Sequence, residues 1–514
     1  MKKNKVIFKM NFLDSLKRET NIAVTENGAT AHKSTLRKVY DMFAFGGAYR
    51  THNDGDCILL FKNALAEDES LALKCLFYLR DCRGGQGERR FFRVCYKWLC
   101  TYQTEIAKRN LVYVSEYGRW DDLIYVALGT PLERDMLEMI KQQLLLDMDS
   151  KTPSLLGKWV PSINASSKTT IKTAHIIRKF LGMTNKEYRK MLAMLRTKIN
   201  IVEKLMSENR WDEIEFDKLP SKAGLKYKNA FAARDILAKK YAEFAKSDAK
   251  VNAATVYPYE VVKQALDNYY VWDGNGKVNE EIQTRRNIVN KYWENLPDYI
   301  NGNTANAICV CDTSGSMTST YGTSIRPIDV AISLSLYMAE RNKGNFANHY
   351  ISFASEPQLI ECEGLDFVDK VYRIYKTNLI DNTNLDAVFA LLKETALKTS
   401  KEGLPERIIV ISDMEIDEGS DCYWGRGNYH AWTSKNTQTN MERIREEWAE
   451  AGLTLPKLVY WNVCARNNII LDGGDDVSFV SGASPVLFEQ ICKGVTGWEL
   501  CLEKLMSERY SNIK

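Results

Sequence analysis

Ala307-Ile308-Cys309-Val310-Cys311-Asp312-Thr313-Ser314-Gly315-Ser316 is the stretch that decides how this chain reads. Its apolar half fits a strand buried on both faces, and its polar half fits a tight turn at the strand's carboxyl end. Asp312, Ser314 and Ser316 alternate along that turn, so one carboxylate and two hydroxyls can face a single small basin. Oxygen-only donors suit a hard divalent cation, Mg²⁺ or else Mn²⁺ or Ca²⁺, and three of them leave coordination positions for another ligand.

Outward from this stretch, residues 301–514 alternate short β-rich runs with helical patterns. The expected strands are Ala307–Cys311, His349–Phe353, Arg407–Ser412, Lys457–Asn462 and Val477–Val480. The expected helices are Ile328–Arg341, Leu385–Thr399, Met441–Ala451 and Pro485–Lys493. Such βαβ alternation predicts an α/β, doubly wound (Rossmann-like) parallel sheet, with ligands at the carboxyl ends of its strands. Two further ends offer matching oxygens: Asn382-Thr383-Asn384 before one helix, and Ser412-Asp413-Met414-Glu415 after one strand. Asp, Ser and Thr also form turns and helix caps without any metal. Five such groups at three strand ends favour the metal reading.

Residues 1–300 follow a different grammar. Leu71–Arg80, Phe91–Tyr102, Leu132–Leu146, Tyr188–Met206 and Tyr227–Phe244 carry apolar residues at three- and four-residue spacing, separated by short breakers. Medium helices on short turns predict an all-α region of stacked pairs, HEAT-like and possible to close into a ring, though no fixed period is visible.

Charge divides the same way. The net +4 conceals 50 basic against 37 acidic residues in 1–300, and 20 against 29 in 301–514. Residues 151–250 alone hold 22 basic and 10 acidic residues, the footprint of a nucleic-acid surface. Its candidate RNA contacts are Lys168, Lys172, His175, Arg178, Lys179, Arg189, Lys190, Arg196 and Lys198.

The twelve cysteines follow no C-x-x-C or paired framework, and read as reduced residues of an intracellular, cytoplasmic protein. No apolar run of membrane-spanning length occurs, and Lys9 interrupts the early apolar stretch, so neither a membrane span nor a signal peptide is expected. No nucleophile–base pair and no placed histidine accompany the motifs; the chain reads as non-catalytic, not an enzyme.

Three loop features have two readings each. Glycines beside Arg83, Arg89 and Arg90 could grip a phosphate, but a tight helix–helix turn with arginines pairing Asp81 and Glu88 is the stronger reading. Trp120, Trp159 and Trp211 read as buried wedges between helices rather than base-stacking platforms. Glu415 and Asp417 read as solvated loop acids rather than groups tuning an ion.

Residues from about 305 onward resemble a von Willebrand factor A domain with a metal-ion-dependent adhesion site. The resemblance assigns Asp312, Ser314 and Ser316 to the metal loop, Thr383 to a second loop and Asp413 to a third. It implies an electrophilic Mg²⁺ that accepts an oxygen, often a carboxylate, from a protein partner. Asn382 and Met414 stand where glycines are common in that pattern.

Thr25-x-Asn27-Gly28, Arg80 through Arg90, Tyr117-Gly118-Arg119-Trp120-Asp121-Asp122, Lys158-Trp159-Val160-Pro161-Ser162 and Arg210-Trp211 through Lys222 complete the picture. With the A-type region they resemble the Ro autoantigen (TROVE-module) RNA-binding proteins, and more closely a sister family joining this helical region to an A domain. That resemblance implies a TROVE-like domain over 1–300, an A domain over 301–514, and a ribonucleoprotein role on small structured or single-stranded RNA. The alternative is a metal-dependent protein-interaction scaffold that binds no RNA.

Overall fold

The computed structural model describes residues 16, 20–25, 28–199, 202–267, 280–302, 306–353, 356–377, 384–399, 403–416, 440–466, 469–472 and 476–514. Helices fill the described part of the first 300 residues, apart from a small hairpin of β1 (Ile22–Val24) and β2 (Thr30–His32). A six-stranded sheet follows, made of β3 (Ala307–Asp312), β4 (His349–Phe353), β5 (Gln358–Glu361), β6 (Arg407–Ser412), β7 (Lys457–Asn462) and β8 (Val477–Ser481), in the order β5-β4-β3-β6-β7-β8.

The sheet is mixed, a correction to the all-parallel expectation: β4 and β5 pair antiparallel. Four residues separate them, far too few for a parallel crossover. Its other pairings are parallel, and the inner strands β3 and β6 are buried along nearly their whole length, as their unbroken apolar runs require. From β3 the chain moves outward to β4 and β5, then returns to the other flank of β3 as β6. This reversal opens a crevice at the carboxyl ends of β3 and β6, where Asp312 and Asp413 stand.

Two helices expected to be continuous are interrupted. Ser221–Ala232 and Asp235–Lys246 replace one span, because Arg234 is extended and Asp235 opens a new first turn. The break lets the Phe231 and Tyr241 rings meet edge to face at 5.5 Å. Likewise Asn185–Lys198 and Val202–Ser207 stand where one helix was expected.

The helical and sheet regions share one continuous apolar core. Helix Lys38–Phe45 seals the outer strand: the Phe479 amide donates to Tyr40 Oη at 2.9 Å, and Ser481 Oγ donates to the Phe43 carbonyl at 3.1 Å. An edge that is covered in this way cannot recruit a foreign strand. Stacking of Trp293 on Phe367 at 4.1 Å and the Arg286–Asp366 pair join the regions elsewhere. Near the carboxyl end of the sequence, Arg509 grips Asp81 and Tyr510 Oη donates to it at 3.0 Å.

No helix among the described residues is long and apolar enough to cross a membrane. The eleven cysteines among them are all free thiols.

Candidate functional site

Asp312 closes β3, and its side chain is wholly buried. Its Oδ1 accepts from the Ser314 amide at 2.9 Å, which curls the chain into the turn that brings Ser314 Oγ and Ser316 Oγ to 3.1 Å. Ser412, the last residue of β6, donates its hydroxyl to Asp312 Oδ2 and accepts from the Met414 amide at 2.9 Å. Asp413, 1% exposed, follows directly. Burial first, and then the neighbouring Asp413 carboxylate, push Asp312 up to about 7.

Two acids and two hydroxyls thus meet at adjacent strand ends, and this oxygen set suits a hard cation. Among the described residues no group of three or more His, Cys, Asp and Glu is placed to hold a metal, so a cation here would rest on two carboxylates and on hydroxyls. Thr383, with Asn382, lies outside the described residues, as does Asp417. Glu415 is 1% exposed and is a correction to its reading as a solvated acid: its amide donates to Asp413 Oδ1 at 3.3 Å, and the turn folds it inward.

Met414 explains one departure from the glycine pattern. Its φ of 67° is the left-handed conformation a glycine would adopt freely. Strain of about 1–2 kcal/mol is offset by burial of the thioether chain, which lines a small internal cavity with Phe45, Tyr460 and Phe479. Met414→Gly is therefore expected to destabilise the chain by about 1–2 kcal/mol despite relaxing the backbone. A denaturation midpoint unchanged or raised would contradict this.

Arg466 was not foreseen. Its Nη2 lies 3.1 Å from Asp413 Oδ2, and its guanidinium sits over the Tyr321 ring at 5.2 Å. Tyr321 in turn donates its hydroxyl to the Ser316 carbonyl at 2.8 Å. No spacing rule marks Arg466; the only signal was its place just after β7, beside β6.

The basic candidates divide into two groups. Lys168, Lys172 and Lys179 are exposed along helix Lys168–Phe180, and Arg189 and Lys190 along helix Asn185–Lys198. Among the described residues none of the five forms an ion pair. Arg178, Arg196 and Lys198 are instead tied to the fold. Arg196 donates to the Gly157 and Val160 carbonyls at 3.0 Å each and to Ser162 Oγ at 2.8 Å. Lys198 reaches the Ser150 carbonyl at 3.2 Å, and Arg178 the Met183 carbonyl. His175 is half-buried. Lys186, not among the candidates, is exposed on the same helix as Arg189.

The Gly84–Arg90 loop is a tight turn, but its arginines have other partners than expected. Asp81 takes Arg509 and Glu88 takes Arg50, while Arg83 donates to the Glu116 carbonyl and Arg90 to Asp54. A side chain at Gly85 would sit 1.9 Å from the Tyr78 carbonyl, so the turn needs glycine there. Trp211 is buried, whereas Trp120 and Trp159 are half-buried and Arg119 stacks on Trp159 at 4.1 Å.

A family described as a domain of unknown function, DUF2828, matches residues 25–128 and 130–304, more than half of the chain. The chain belongs to the DUF2828 family. Beyond the DUF2828 region, a second domain of unknown function, DUF7788, matches residues 306–496 and so contains Asp312, Asp413 and Arg466. The chain is also similar to the uncharacterized protein L728 of Acanthamoeba polyphaga mimivirus, 28% identical over 492 residues that cover 87% of this chain and 80% of that protein.

Proposed function

We propose that this is a non-catalytic, Ro-like RNA-binding protein acting as a cytoplasmic ribonucleoprotein. In this reading its helical region forms HEAT-like repeats that bind small structured or single-stranded RNA. Its sheet region is a von Willebrand factor A-like domain holding Mg²⁺, Mn²⁺ or Ca²⁺. One observation carries the reading: residues 151–200 hold eleven Lys and Arg against a single acid, Glu187, and seven of those cations stand exposed on two helices. A surface of that kind releases counterions when it meets phosphates. RNA is expected to co-purify with the full chain, and its affinity for a single-stranded oligonucleotide to fall steeply as salt rises. Absence of binding at about 50 mM salt would sink the proposal.

The metal reading rests on Asp312, Ser314, Ser316 and Asp413, with Thr383 as the fifth group. A bound ion supplies an electrophile for an oxygen ligand; the chain's own task is to present deprotonated carboxylates. With Asp312 raised to about 7, a proton competes with the ion below that pH. Mn²⁺ affinity is expected to weaken about a hundredfold from pH 8 to pH 5, and to vanish in Asp312→Ala. Titration calorimetry checks both, and equal affinity at the two pH values would refute the assignment of Asp312 as a ligand.

A second reading, a metal-dependent protein scaffold, draws support from exposed Ser319 and Thr320 beside the metal loop, which leave the basin approachable by a partner's carboxylate. In that case Asp312→Ala abolishes protein capture and RNA contributes nothing.

A further inference from the structure

We infer that Arg466 is a tethered counter-ion of the Asp312–Asp413 basin, competing with the divalent ion for Asp413 and linking the basin's occupancy to the helical region. This rests on the metal reading above.

The first observation is electrostatic. Two buried carboxylates from adjacent strand ends repel each other, and the guanidinium 3.1 Å from Asp413 supplies compensating charge. A divalent ion held by these acids would supply twice that positive charge, so ion and guanidinium are alternatives at Asp413. Tyr321 holds Arg466 in this role, with its ring under the guanidinium and its hydroxyl anchored to the metal-loop carbonyl of Ser316. The φ of 48° at Tyr321 is a left-handed conformation that few non-glycine residues adopt.

The second observation is mechanical. Arg466 belongs to a segment, Val463–Arg466, that touches both regions. The Val463 amide donates to the Ser412 carbonyl at 3.0 Å, on the basin side. On the helical side, Arg50 donates to the Val463 carbonyl at 3.2 Å, the Ala465 amide donates to the Ala48 carbonyl at 3.1 Å, and His52 Nε2 bonds the Ala465 carbonyl at 2.8 Å. Release of the guanidinium from Asp413 therefore acts on a segment held by residues 48–52. Arg466 also lines a groove of about 430 Å³ with Lys33, Lys38 and His52, which offers room for the displaced side chain.

The test titrates the full chain with Mn²⁺, following free ion by electron paramagnetic resonance, for wild type, Arg466→Ala, Arg466→Lys and Asp312→Ala. Arg466→Ala is expected to bind Mn²⁺ about tenfold more tightly than wild type, and Arg466→Lys, which keeps the charge, to remain within about threefold. Arg466→Ala that folds only when Mn²⁺ is added is the same result in stronger form. In wild type, Mn²⁺ is expected to speed hydrogen exchange at the Ala465 amide. Equal or weaker binding by Arg466→Ala, with wild type still binding, overturns the counter-ion role alone. Unchanged exchange at Ala465 overturns the link to the helical region. Binding by none of the four overturns this inference and the metal reading together.

Discussion

Asp122→Ala is expected to destabilise the chain by about 3–5 kcal/mol, the largest effect of any single substitution considered for the helical region. Asp122 is fully buried and accepts from Arg80 at 2.9 and 2.6 Å, from Arg93 at 2.6 Å, and from the Arg119 amide at 3.0 Å. Arg80 itself is 3% exposed. Burial works against its charge, and the Asp122 carboxylate more than compensates, holding its pKa above the usual value. Removal of the acid leaves one guanidinium buried without its counter-charge and uncaps helix Trp120–Ala127. Arg93 retains Asp121 at 2.8 Å, so the loss falls mainly on Arg80. Asp122→Asn keeps the shape and part of the hydrogen bonding, and should cost less. Urea unfolding followed by tryptophan fluorescence reads the difference; a loss under about 1 kcal/mol for Asp122→Ala would falsify this account. The Gly-Arg-Trp-Asp-Asp phrase is thus explained by packing and charge compensation.

Replacement of Lys168, Lys172, Lys179, Arg189 and Lys190 together by glutamine should reduce RNA affinity by two or more orders of magnitude near physiological salt. Each phosphate contact contributes about 0.7–0.9 to the slope of log affinity against log salt, so the slope should shrink by about 3–5. Stability should change little, because these side chains are exposed and make no ion pairs among the described residues. Arg196→Gln is the contrasting variant. It breaks three bonds to the 157–162 segment, so it should destabilise the fold. If the five-residue variant keeps both the wild-type affinity and the wild-type slope, the helical stripe is not the RNA surface.

The sheet was legible to an unusual degree. Strands His349–Phe353, Arg407–Ser412 and Lys457–Asn462 occur at the expected bounds, because a strand buried on both faces must be a continuous apolar run. The edge strand Gln358–Glu361 escaped notice because it is mostly exposed and carries no such run. Helix Phe367–Thr377 was missed as well, although its apolar residues recur at helical spacing. In the helical region periodicity located segments such as Glu69–Arg80, but it could not register the break at Ala233–Arg234, where Phe231 and Tyr241 needed a bend in order to pack.

At the candidate site, local pattern picked out Asp312, Ser314, Ser316 and Asp413 as a candidate set, because a strand-terminal turn exposes alternate polar groups whatever surrounds it, and the fold places them at adjacent strand ends. Charge composition was likewise enough to separate a basic helical part from an acidic sheet part. Which charges are available was settled only by tertiary packing. Arg196 and Arg189 look equivalent in the chain, yet one is spent on two carbonyls and a hydroxyl 34–39 residues away and the other faces solvent. Asp81 finds Arg509 across 428 residues, and Asp413 finds Arg466 only because β7 lies beside β6. Periodicity and turn chemistry are short-range and are written in neighbouring residues. A buried charge must be compensated by whichever opposite charge the fold brings alongside it, and no local stretch of sequence carries that address.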